Sequence, residues 1–336
     1  MQATNILVTG GAGFIGSHLV EYLLDKYPDY KIINLDALTY AGDEKRNDKV
    51  ADNPRYEFVH GNICDRQLVQ EIFEEHQITG VFHLAAETHV DNSIINPEIF
   101  VKTNVCGTLT LLEAARKYWQ NGEVELKNPR FIHVSTDEVY GSLGTEGYFT
   151  ESTPYAPNSP YSASKASGDF LVRSYFHTFN LPVIITNCSN NYGPKQHDEK
   201  LIPRIIRNAL SGKKIPIYGI GLNIRDWLYV TDHCTALDIV FQAGRLGESY
   251  NIGTRNEKAN MQIALLVCEI LDSLKPLKYG SYKDQISFVT DRPGHDFRYA
   301  IDNSKITSKL DWAAASTFDD DIQSTVKWYI KHYENS

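Results

Sequence analysis

Two short segments of this sequence bring together two acids, a phenol and an amine. Asp137 and Glu138 are adjacent within residues 135–141, and Tyr161 and Lys165 follow within residues 161–165. On a helix, side chains four residues apart lie on one face, so the Lys165 ammonium would stabilise a Tyr161 phenolate. Together the four groups indicate an elimination coupled to a hydride transfer, with the phenolate acting as a base.

The energy needed to ionise Tyr161 is within reach of one neighbouring charge. A free tyrosine has a pKa of about 10, so ionisation near neutral pH requires roughly 4 kcal/mol. A unit charge at about 4 Å supplies roughly that much in an effective dielectric of about 20. Burial would oppose ionisation, and a positively charged nicotinamide ring would favour it. Taken alone, the pair is equally typical of a helix N-terminus with an incidental lysine, and the acid pair of a solvated loop.

A glycine-rich segment, residues 9–16 (Thr-Gly-Gly-Ala-Gly-Phe-Ile-Gly), follows a predicted strand and precedes a predicted helix. In this context Gly11 permits the turn, Gly13 lets the backbone approach a pyrophosphate, and Gly16 allows close packing of helix on strand. Asp36 ends the second predicted strand, where a carboxylate binds a ribose 2′-hydroxyl and repels a 2′-phosphate. The pattern predicts a dinucleotide site that prefers NAD to NADP.

The elements that must position these residues alternate between strands and helices. Short β-branched runs occur at residues 6–9, 32–35, 58–60, 81–84, 131–135 and 183–186, with helical periodicity between them. This alternation predicts an α/β fold with a Rossmann-type, doubly wound parallel sheet. We assign residues 1–190 to the NAD-binding domain and 191–336 mainly to a smaller α/β lobe that binds substrate. The boundary is interleaved: we expect segments near residues 226–253 to belong to the first domain, because residues 249–253 look like a strand that returns to the main sheet.

Composition and charge narrow the class of protein. The 336 residues carry a net charge of −9 and no basic cluster, which excludes the electrostatic pattern expected for nucleic-acid binding. No apolar run approaches the ~20 residues that span a bilayer, and the first residues lack a signal peptide, so we expect a cytoplasmic protein. The five cysteines are widely spaced, as in a reduced protein, and we find no metal-binding pattern.

Several segments in order resemble one enzyme family nearly from end to end. The glycine-rich segment, the Leu84-Ala85-Ala86 turn and the Tyr161/Lys165 pair are similar to the extended short-chain dehydrogenase/reductase (SDR) superfamily, which acts largely on nucleotide sugars. Within that superfamily the chain resembles the dTDP-glucose 4,6-dehydratase family, on residues 86–91, 135–141, 187–194, 224–227 and 292–296. Such an ordered series is far more specific than any one motif.

The resemblance implies a role for each residue of the first two segments. Tyr161 takes the proton of the sugar C4 hydroxyl while hydride passes from C4 to NAD, and Lys165 lowers the tyrosine pKa. Glu138 is then the base at C5, and Asp137 the acid that protonates the departing C6 hydroxyl. Thr136 hydrogen-bonds the C4 oxygen. The product would be dTDP-4-keto-6-deoxyglucose, and NAD would leave each turnover as it entered.

The resemblance also implies the binding residues. Those expected to bind NAD are Gly10, Gly13, Phe14, Ile15, Gly16, Asp36, Thr39, Asn62, Ile63, Leu84, Ala85, Ala86, Tyr161 and Lys165. Those expected to bind the nucleotide diphosphate sugar are Glu87, His89, Thr136, Asn190, Lys200, Leu201, Pro216, Tyr218, Arg225, Asn260, Arg292, His295 and Tyr299. Of these, Arg225 and Arg292 are expected to grip the diphosphate.

Three positions and one segment depart from the family pattern. Asn62 replaces the usual aspartate beside the adenine, Ala37 a common lysine and Asn92 a usual arginine, and residues 253–260 differ from the usual family sequence. The alternatives are an NAD-dependent nucleotide-sugar 4-epimerase or decarboxylase, a 4,6-dehydratase acting on a UDP-, GDP- or CDP-sugar, and a non-catalytic NAD-binding regulator. An epimerase or decarboxylase would not need Asp137 and Glu138 together, and a regulator would be expected to lack Tyr161 or Lys165. By analogy with the family we expect a homodimer, formed through helices in residues 101–119 and 161–179.

Overall fold

The computed structural model describes residues 4–121 and 128–334. The strands, in chain order, are β1 Thr4–Thr9, β2 Tyr30–Asp36, β3 Tyr56–His60, β4 Gly80–His83, β5 Arg130–Thr136, β6 Val183–Cys188, β7 Asn190–Tyr192, β8 Ile215–Tyr218, β9 Ile224–Tyr229, β10 Ser249–Ile252, β11 Glu257–Ala259 and β12 Ile286–Val289.

The α-helices are α1 Phe14–Lys26, α2 Arg66–Glu75, α3 Val90–Ile95, α4 Pro97–Phe100, α5 Thr108–Asn121, α6 Pro160–Phe179, α7 Leu201–Leu210, α8 Val230–Ala243, α9 Asn260–Leu274, α10 Ser304–Leu310 and α11 Phe318–Glu334. A π-helical segment, Val101–Gly107, joins α4 to α5. Short 3₁₀ helices cover Glu44–Asn47, Asp137–Tyr140 and Tyr282–Gln285.

Seven strands form one sheet in the order β10-β6-β5-β4-β1-β2-β3, and every pair in it is parallel. The predicted doubly wound parallel sheet is therefore confirmed. β1 pairs with both β2 and β4, so the strand order reverses beside β1. In such sheets ligands bind outside the carboxyl ends of the strands at this switch point. All the catalytic segments predicted from the sequence lie at that edge.

Apolar side chains pack on both faces of the sheet, as the near-continuous β-branched runs require for a parallel sheet. One face packs against helices α1 and α8, whose buried residues include Leu19, Leu23 and Val240. The other face packs against α2, α5 and α6, with Phe73, Leu112 and Val172 in the same cluster. Packing on both faces fixes the strand ends, and with them the side chains at the edge of the sheet.

A second apolar cluster builds the smaller lobe from α7, α9 and α11. Two small sheets complete it, one in the order β11-β9-β7 and one pairing β12 with β8. The strand predicted at residues 249–253 does return to the main sheet, where β10 pairs with β6. Helix α8 also packs on the main sheet side, against α1. The assignment of residues 1–190 and 191–336 to separate functions stays a prediction.

The described part of the chain contains no helix both long and apolar enough to cross a bilayer. Its five cysteines are all free thiols, and three of them (Cys188, Cys234 and Cys268) are buried.

Candidate active site

A cavity of about 310 Å³ opens at the carboxyl edge of the main sheet, where the segments after β1, β2, β4 and β5 meet. All fourteen residues predicted to bind the cofactor line it: Gly10, Gly13, Phe14, Ile15, Gly16, Asp36, Thr39, Asn62, Ile63, Leu84, Ala85, Ala86, Tyr161 and Lys165. Thr136, Asp137, Glu138 and Glu87 line the same cavity. The fold therefore places the dinucleotide loop and the catalytic segments in one space.

The glycine loop makes the turn at a different residue from the one predicted. Gly10, with φ +75°, adopts the left-handed conformation, and its amide donates to the Leu35 carbonyl. Gly11 is required for space instead, because a Cβ there would lie 2.2 Å from the Asn34 side chain. A Cβ on Gly16 would lie 2.2 Å from the Gly10 carbonyl oxygen, which is the close packing that the fingerprint predicts.

The N-terminus of α1 remains available to an anion. Gly13 is the N-cap and has no side chain to satisfy the first amides of this 13-residue helix. Unpaired amides and the positive end of a helix dipole suit a pyrophosphate. The loop and α1 therefore fit a dinucleotide.

Asp36, at the end of β2, lines the same cavity as the glycine loop. Its carboxylate accepts from the Ala12 amide at 2.9 Å and from the Leu38 amide at 2.8 Å, which fixes both oxygens at the end of β2. Each oxygen keeps a second lone pair for a ribose hydroxyl. Asn62 is one of the departures from the family pattern. Its side-chain oxygen accepts a hydrogen bond from the Cys64 amide at 2.9 Å.

The acid pair begins a 3₁₀ helix directly after β5. Thr136 is its N-cap, and the Thr136 hydroxyl accepts from the Glu138 amide at 3.3 Å. Asp137 is 1% exposed and its Oδ2 has no hydrogen-bond partner, whereas Glu138 is only partly buried. The two adjacent carboxyls therefore have different environments.

These environments shift the two pKa values for partly different reasons. Burial raises the pKa of Asp137 well above its usual value, and the charge of Glu138 raises it further. Burial also raises the pKa of Glu138, but Arg292, Arg225 and Lys200 oppose that rise. Asp137 is thus suited to hold a proton and Glu138 to accept one.

Tyr161 and Lys165 lie in the first turns of α6, a helix that starts with a capping box between Ser159 and Ser162. Burial, followed by the charge of Glu138, raises the pKa of Tyr161 well above 10. The Lys165 ammonium donates to the Val134 carbonyl at 2.8 Å rather than to the phenol. Burial thus opposes ionisation of the phenol, as the sequence analysis expected, and the role of Lys165 in lowering the tyrosine pKa stays a prediction.

A second cavity of about 190 Å³ adjoins the first, and Glu138, Asn190 and Lys200 line both. It lies between the main sheet and the smaller lobe. The remaining residues predicted to bind substrate line it: His89, Leu201, Pro216, Tyr218, Arg225, Asn260, Arg292, His295 and Tyr299. Glu138 thus stands where the two cavities join.

Arg225 is more strongly anchored than a surface diphosphate ligand would be. Its guanidinium donates to the carbonyls of Ile224 at 2.7 Å and Asp296 at 3.0 Å, and it lies 4.2 Å from the centre of the Tyr299 ring. These contacts occupy much of its donor capacity. Its charge nevertheless lowers the pKa of Glu138 and of Asp137.

Arg292 is less restrained and faces a partner that the sequence analysis did not single out. Its Nη1 lies 3.5 Å from Asp91 Oδ1, and its Nε is buried without a hydrogen bond. Asp91 Oδ2 accepts from the Tyr218 hydroxyl at 2.8 Å. Asp91 therefore connects α3 to two residues predicted to bind the nucleotide.

His89 caps a helix in addition to lining the second cavity. Its Nδ1 accepts from the Asn92 amide at 3.1 Å and so caps α3. The other ring nitrogen, Nε2, lies 3.7 Å from Glu199. The resemblance gave no sign of Glu199, which lines both cavities together with Lys200.

Glu87 is held by a residue of the π-helical segment. The Asn104 side chain accepts from the Glu87 amide at 2.9 Å and donates to the Glu87 carbonyl at 3.0 Å. It also donates to the Ser164 hydroxyl on α6. Periodicity did not indicate this role, because Asn104 lies between the apolar residues of a predicted helix.

The described residues contain no group of three or more His, Cys, Asp or Glu side chains arranged to hold a metal ion. The side chains of the first cavity that can take part in proton transfer include Asp137, Glu138, Tyr161 and Lys165.

Comparison with known proteins finds 4,6-dehydratases that match nearly the whole chain. Residues 7–325 match the family model described as GDP-mannose 4,6 dehydratase. The dTDP-glucose 4,6-dehydratase of Salmonella typhimurium is 52% identical, covering 97% of this chain and 92% of that protein.

Two solved structures are also similar. The dTDP-glucose 4,6-dehydratase of Bacillus anthracis, in complex with NAD, has a TM-score of 0.87 at 49% identity and covers 99% of this chain and 98% of its own. The Streptomyces venezuelae enzyme of the same name, with NAD and a second ligand bound, has a TM-score of 0.89 at 44% identity, with 98% of each chain covered. With its Rossmann-type sheet, glycine loop and paired cavities, the chain belongs to the dTDP-glucose 4,6-dehydratase family of the extended SDR superfamily.

Proposed function

We propose that this protein is an NAD-dependent lyase that converts dTDP-glucose to dTDP-4-keto-6-deoxyglucose. The observation that carries the proposal is the acid pair. Asp137 is buried, which raises its pKa well above the usual value, while Glu138 lies at the junction of the cofactor and substrate cavities. An elimination needs one acid and one base on neighbouring carbons, and this pair supplies both.

The glycine loop, the α1 N-terminus and Asp36 would hold the cofactor, with the adenosine ribose at Asp36. When bound, NAD supplies a positively charged ring, accepts hydride from C4 of the sugar and later returns it to C6. Tyr161 and Lys165 line the same cavity as the glycine loop.

Tyr161 removes the proton of the C4 hydroxyl, so that C4 becomes a ketone. The positive ring would oppose the acidic neighbours that raise the Tyr161 pKa in the protein alone. The nearby Thr136 hydroxyl acts in the opposite direction to burial and lowers that pKa. With the sugar bound, Thr136 would lie beside the C4 oxygen and polarise the ketone.

The C4 ketone acidifies the proton at C5, and Glu138 removes it. The C6 hydroxyl then leaves as water with the proton that Asp137 donates, and a C5–C6 double bond forms. After hydride reaches C6, Glu138 returns a proton to C5. The sugar has lost one water, and the cofactor ends each turnover in its starting oxidation state.

For the nucleotide diphosphate we assign the second cavity. Arg292 has a buried Nε without a partner, and Lys200 and Arg225 lie in the same cavity. In a chain with a net charge of −9 these cations concentrate positive charge at one place. A guanidinium matches phosphate geometry, which makes Arg292 the principal candidate for a diphosphate contact.

An epimerase would need Tyr161 and Lys165 but no acid and base at C5 and C6. An acid such as Asp137, buried and with a raised pKa, has no role in that reaction, so the acid pair favours the dehydratase.

The test uses purified protein with dTDP-glucose that carries deuterium at C4. We expect a product that has lost water and carries the deuterium at C6, with no net NADH. Loss of water without the label at C6, or epimerisation at C4 without dehydration, would contradict the proposal. Parallel assays with UDP-, GDP- and CDP-glucose identify the preferred base.

We also propose that the protein acts in the cytoplasm as a homodimer. Its thiols are unpaired, as expected in a reducing compartment. Exposed apolar side chains on α3, α4 and α6 provide a surface for a second copy. Fractionation of the native host tests the location, and light scattering tests the dimer.

A further inference from the structure

An irregular segment, residues 194–200, joins β7 to α7 and forms part of the wall of the first cavity. We call it the strap. Gln196, His197, Glu199 and Lys200 line the cavity, which the segment after Asp36 also lines. The strap and that segment are therefore two parts of the wall around the space that the cofactor would occupy.

Lys195 anchors the first part of the strap to the NAD-binding domain. Its ammonium forms an ion pair with Glu21 on α1 and donates to the Arg46 carbonyl at 2.7 Å. The Lys195 and Glu21 side chains are only 12% and 16% exposed. His18, also on α1, donates from Nε2 to the Pro194 carbonyl at 3.0 Å. The strap thus begins fixed to α1 and to the neighbouring 3₁₀ helix.

Glu199 connects the other end of the strap to the segment after Asp36. The Tyr40 hydroxyl donates to Glu199 Oε1 at 3.2 Å, and the Tyr40 ring meets the His197 ring edge-on, with 5.6 Å between centres. Tyr40 follows Asp36 by four residues, and both of its neighbours in the chain line the cavity. A ligand in the cavity is therefore bounded on this side by contacts between the two segments.

The smaller lobe holds the middle of the strap. On α11 the Tyr329 hydroxyl donates to the Gln196 carbonyl at 2.6 Å, and the Tyr333 hydroxyl donates to the Asp198 carboxylate at 2.5 Å. The strap therefore has partners in both lobes.

The backbone of Lys195 is in a conformation that its own sequence does not favour. Its φ of +66° lies in the left-handed region, although lysine carries a Cβ. Such a residue persists only where its surroundings hold it, and it is typical of functional segments. The contacts of Lys195 with Glu21 and Arg46 are the ones that hold it, so the strap keeps its course through contacts rather than through local preference.

The proposed reaction requires a cofactor that stays in place. Hydride removed from C4 must be returned to C6 of the same sugar, so release of the reduced cofactor between these steps would leave the reaction unfinished. Segments that close over a ligand commonly commit it in this way.

We propose that the strap retains the cofactor, and that Lys195, Glu199 and Tyr40 are positioning residues that keep it closed. Lys195, Tyr40 and Glu21 line neither cavity, so an effect of their replacement on cofactor exchange must pass through the strap. Retention during turnover rests on the proposed function. Retention of NAD by the resting protein does not, and it can be measured without substrate.

The first experiment measures NAD exchange in Lys195→Met. Protein loaded with labelled NAD is mixed with excess unlabelled NAD to give the dissociation rate, and NAD-free protein gives the association rate. We expect dissociation to be at least about tenfold faster, since the variant loses a charged contact that holds the strap. Lys283→Met is the matched control, because its ion pair with Glu269 lies on the smaller lobe away from both cavities and should leave both rates unchanged.

The association rate separates a strap from a direct contact. If the strap must open for NAD to enter as well as to leave, both rates should rise in Lys195→Met. Faster dissociation with unchanged association, or two unchanged rates, would overturn the proposal. Adding Glu21→Gln to Lys195→Met should give no further acceleration, and additive effects would show that the pair does not act as a unit and would overturn its anchoring role.

Tyr40→Phe tests the other end of the strap. It removes the hydroxyl that contacts Glu199 and keeps the ring against His197. Because Tyr40 is 42% exposed, this change keeps the fold and leaves the proposal testable even if Lys195→Met is unstable. NAD should dissociate about threefold faster or more. Wild-type dissociation would overturn the role of Tyr40 and Glu199.

The second experiment follows the cofactor during turnover. Lactate dehydrogenase and pyruvate are added with dTDP-glucose, so that any NADH released into solution is oxidised and an equal amount of lactate forms. Lys195→Met should form lactate and the wild type much less. Equal lactate in both would overturn retention during turnover. A wild-type protein without dehydratase activity would instead contradict the proposed function and leave the NAD exchange results unaffected.

Discussion

At the scale of single residues, the two acids after β5 are adjacent in the chain but face different surroundings. Asp137 points into the protein, and one of its oxygens has no hydrogen-bond partner. Glu138 lies at the junction of the two cavities, where the positive charges of Arg292, Arg225 and Lys200 act to lower its pKa. The two neighbouring acids are therefore suited to different roles, Asp137 to hold a proton and Glu138 to accept one.

Replacing Glu138 by glutamine should stop the reaction after the first hydride transfer. Tyr161 would still accept the C4 proton, but the C5 proton would lack a base, so turnover should fall by roughly 10²–10⁴-fold. On mixing with substrate, NADH absorbance should rise and persist. Wild-type turnover, or no NADH signal despite bound substrate, would contradict the role of Glu138.

Replacing Asp137 by asparagine should block the next step instead. Glu138 would still exchange the C5 proton with solvent, while loss of the C6 hydroxyl slows by roughly 10²-fold or more. NMR in deuterated water should show deuterium at C5 of recovered substrate. Absence of exchange would assign both proton transfers to Asp137.

The same substitution should change the pH dependence of stability. Burial raises the folded-state pKa of Asp137 above its unfolded value, so its stabilising contribution is complete below about pH 4 and is lost as pH rises through the folded pKa. Asp137→Asn has no such loss. In denaturant titrations the variant should gain stability relative to wild type with increasing pH, and a constant difference would contradict the raised pKa.

At the scale of elements, the site depends on how closely backbone segments approach. The first turn of α1 packs against the glycine loop, so that a Cβ on Gly16 would lie 2.7 Å from Gly11 Cα. The opposite edge of the cavity is formed by the β5 end and by α6, which Asp169 ties together through Ser135. Small displacements at either edge would change the distance between cofactor and acid pair.

Gly16→Ala should therefore weaken NAD binding and stability together. The added methyl group must displace backbone, at about 1–3 kcal/mol, and the shifted amides would bind NAD at least about tenfold more weakly. Gly144→Ala is the control, because Gly144 is exposed and a Cβ there meets nothing within 4 Å. Calorimetric titration with NAD and thermal unfolding measure both effects; equal behaviour of the two variants would contradict the close-packing argument.

At the scale of the whole molecule, one group of exposed apolar side chains lies on neighbouring helical elements. Ile95 is 82% exposed, Phe170 56% and Val101 52%. They belong to α3, α6 and the π-helical segment, which pack against one another. A two-fold contact would bury the same surface on both copies.

A charge in this surface should separate the dimer. Ile95→Asp combined with Phe170→Asp places two carboxylates in the proposed contact, and their desolvation would cost several kcal/mol. Light scattering should then give the monomer mass. Tyr279→Asp is the control, since Tyr279 is 81% exposed on the smaller lobe and should leave the mass unchanged. A monomeric wild-type protein would contradict the proposed dimer.

Much of the fold follows from local sequence. The predicted strands all form, because β-branched runs match elements that are buried on one or both faces. The glycine loop, Asp36 and the Tyr161/Lys165 pair were recognisable because each depends on residues close together in the chain.

The sequence by itself thus indicated the parallel sheet, the family and many of the residues that line the two cavities. Only the tertiary structure decided which groups face each other across segments. It placed Asp91 against Arg292, Asn104 against Glu87 and Asp169 behind Ser135, and it directed Lys165 to a carbonyl. The physical reason is that pKa values and hydrogen bonds depend on burial and distance, which segments far apart in the chain set only when they pack.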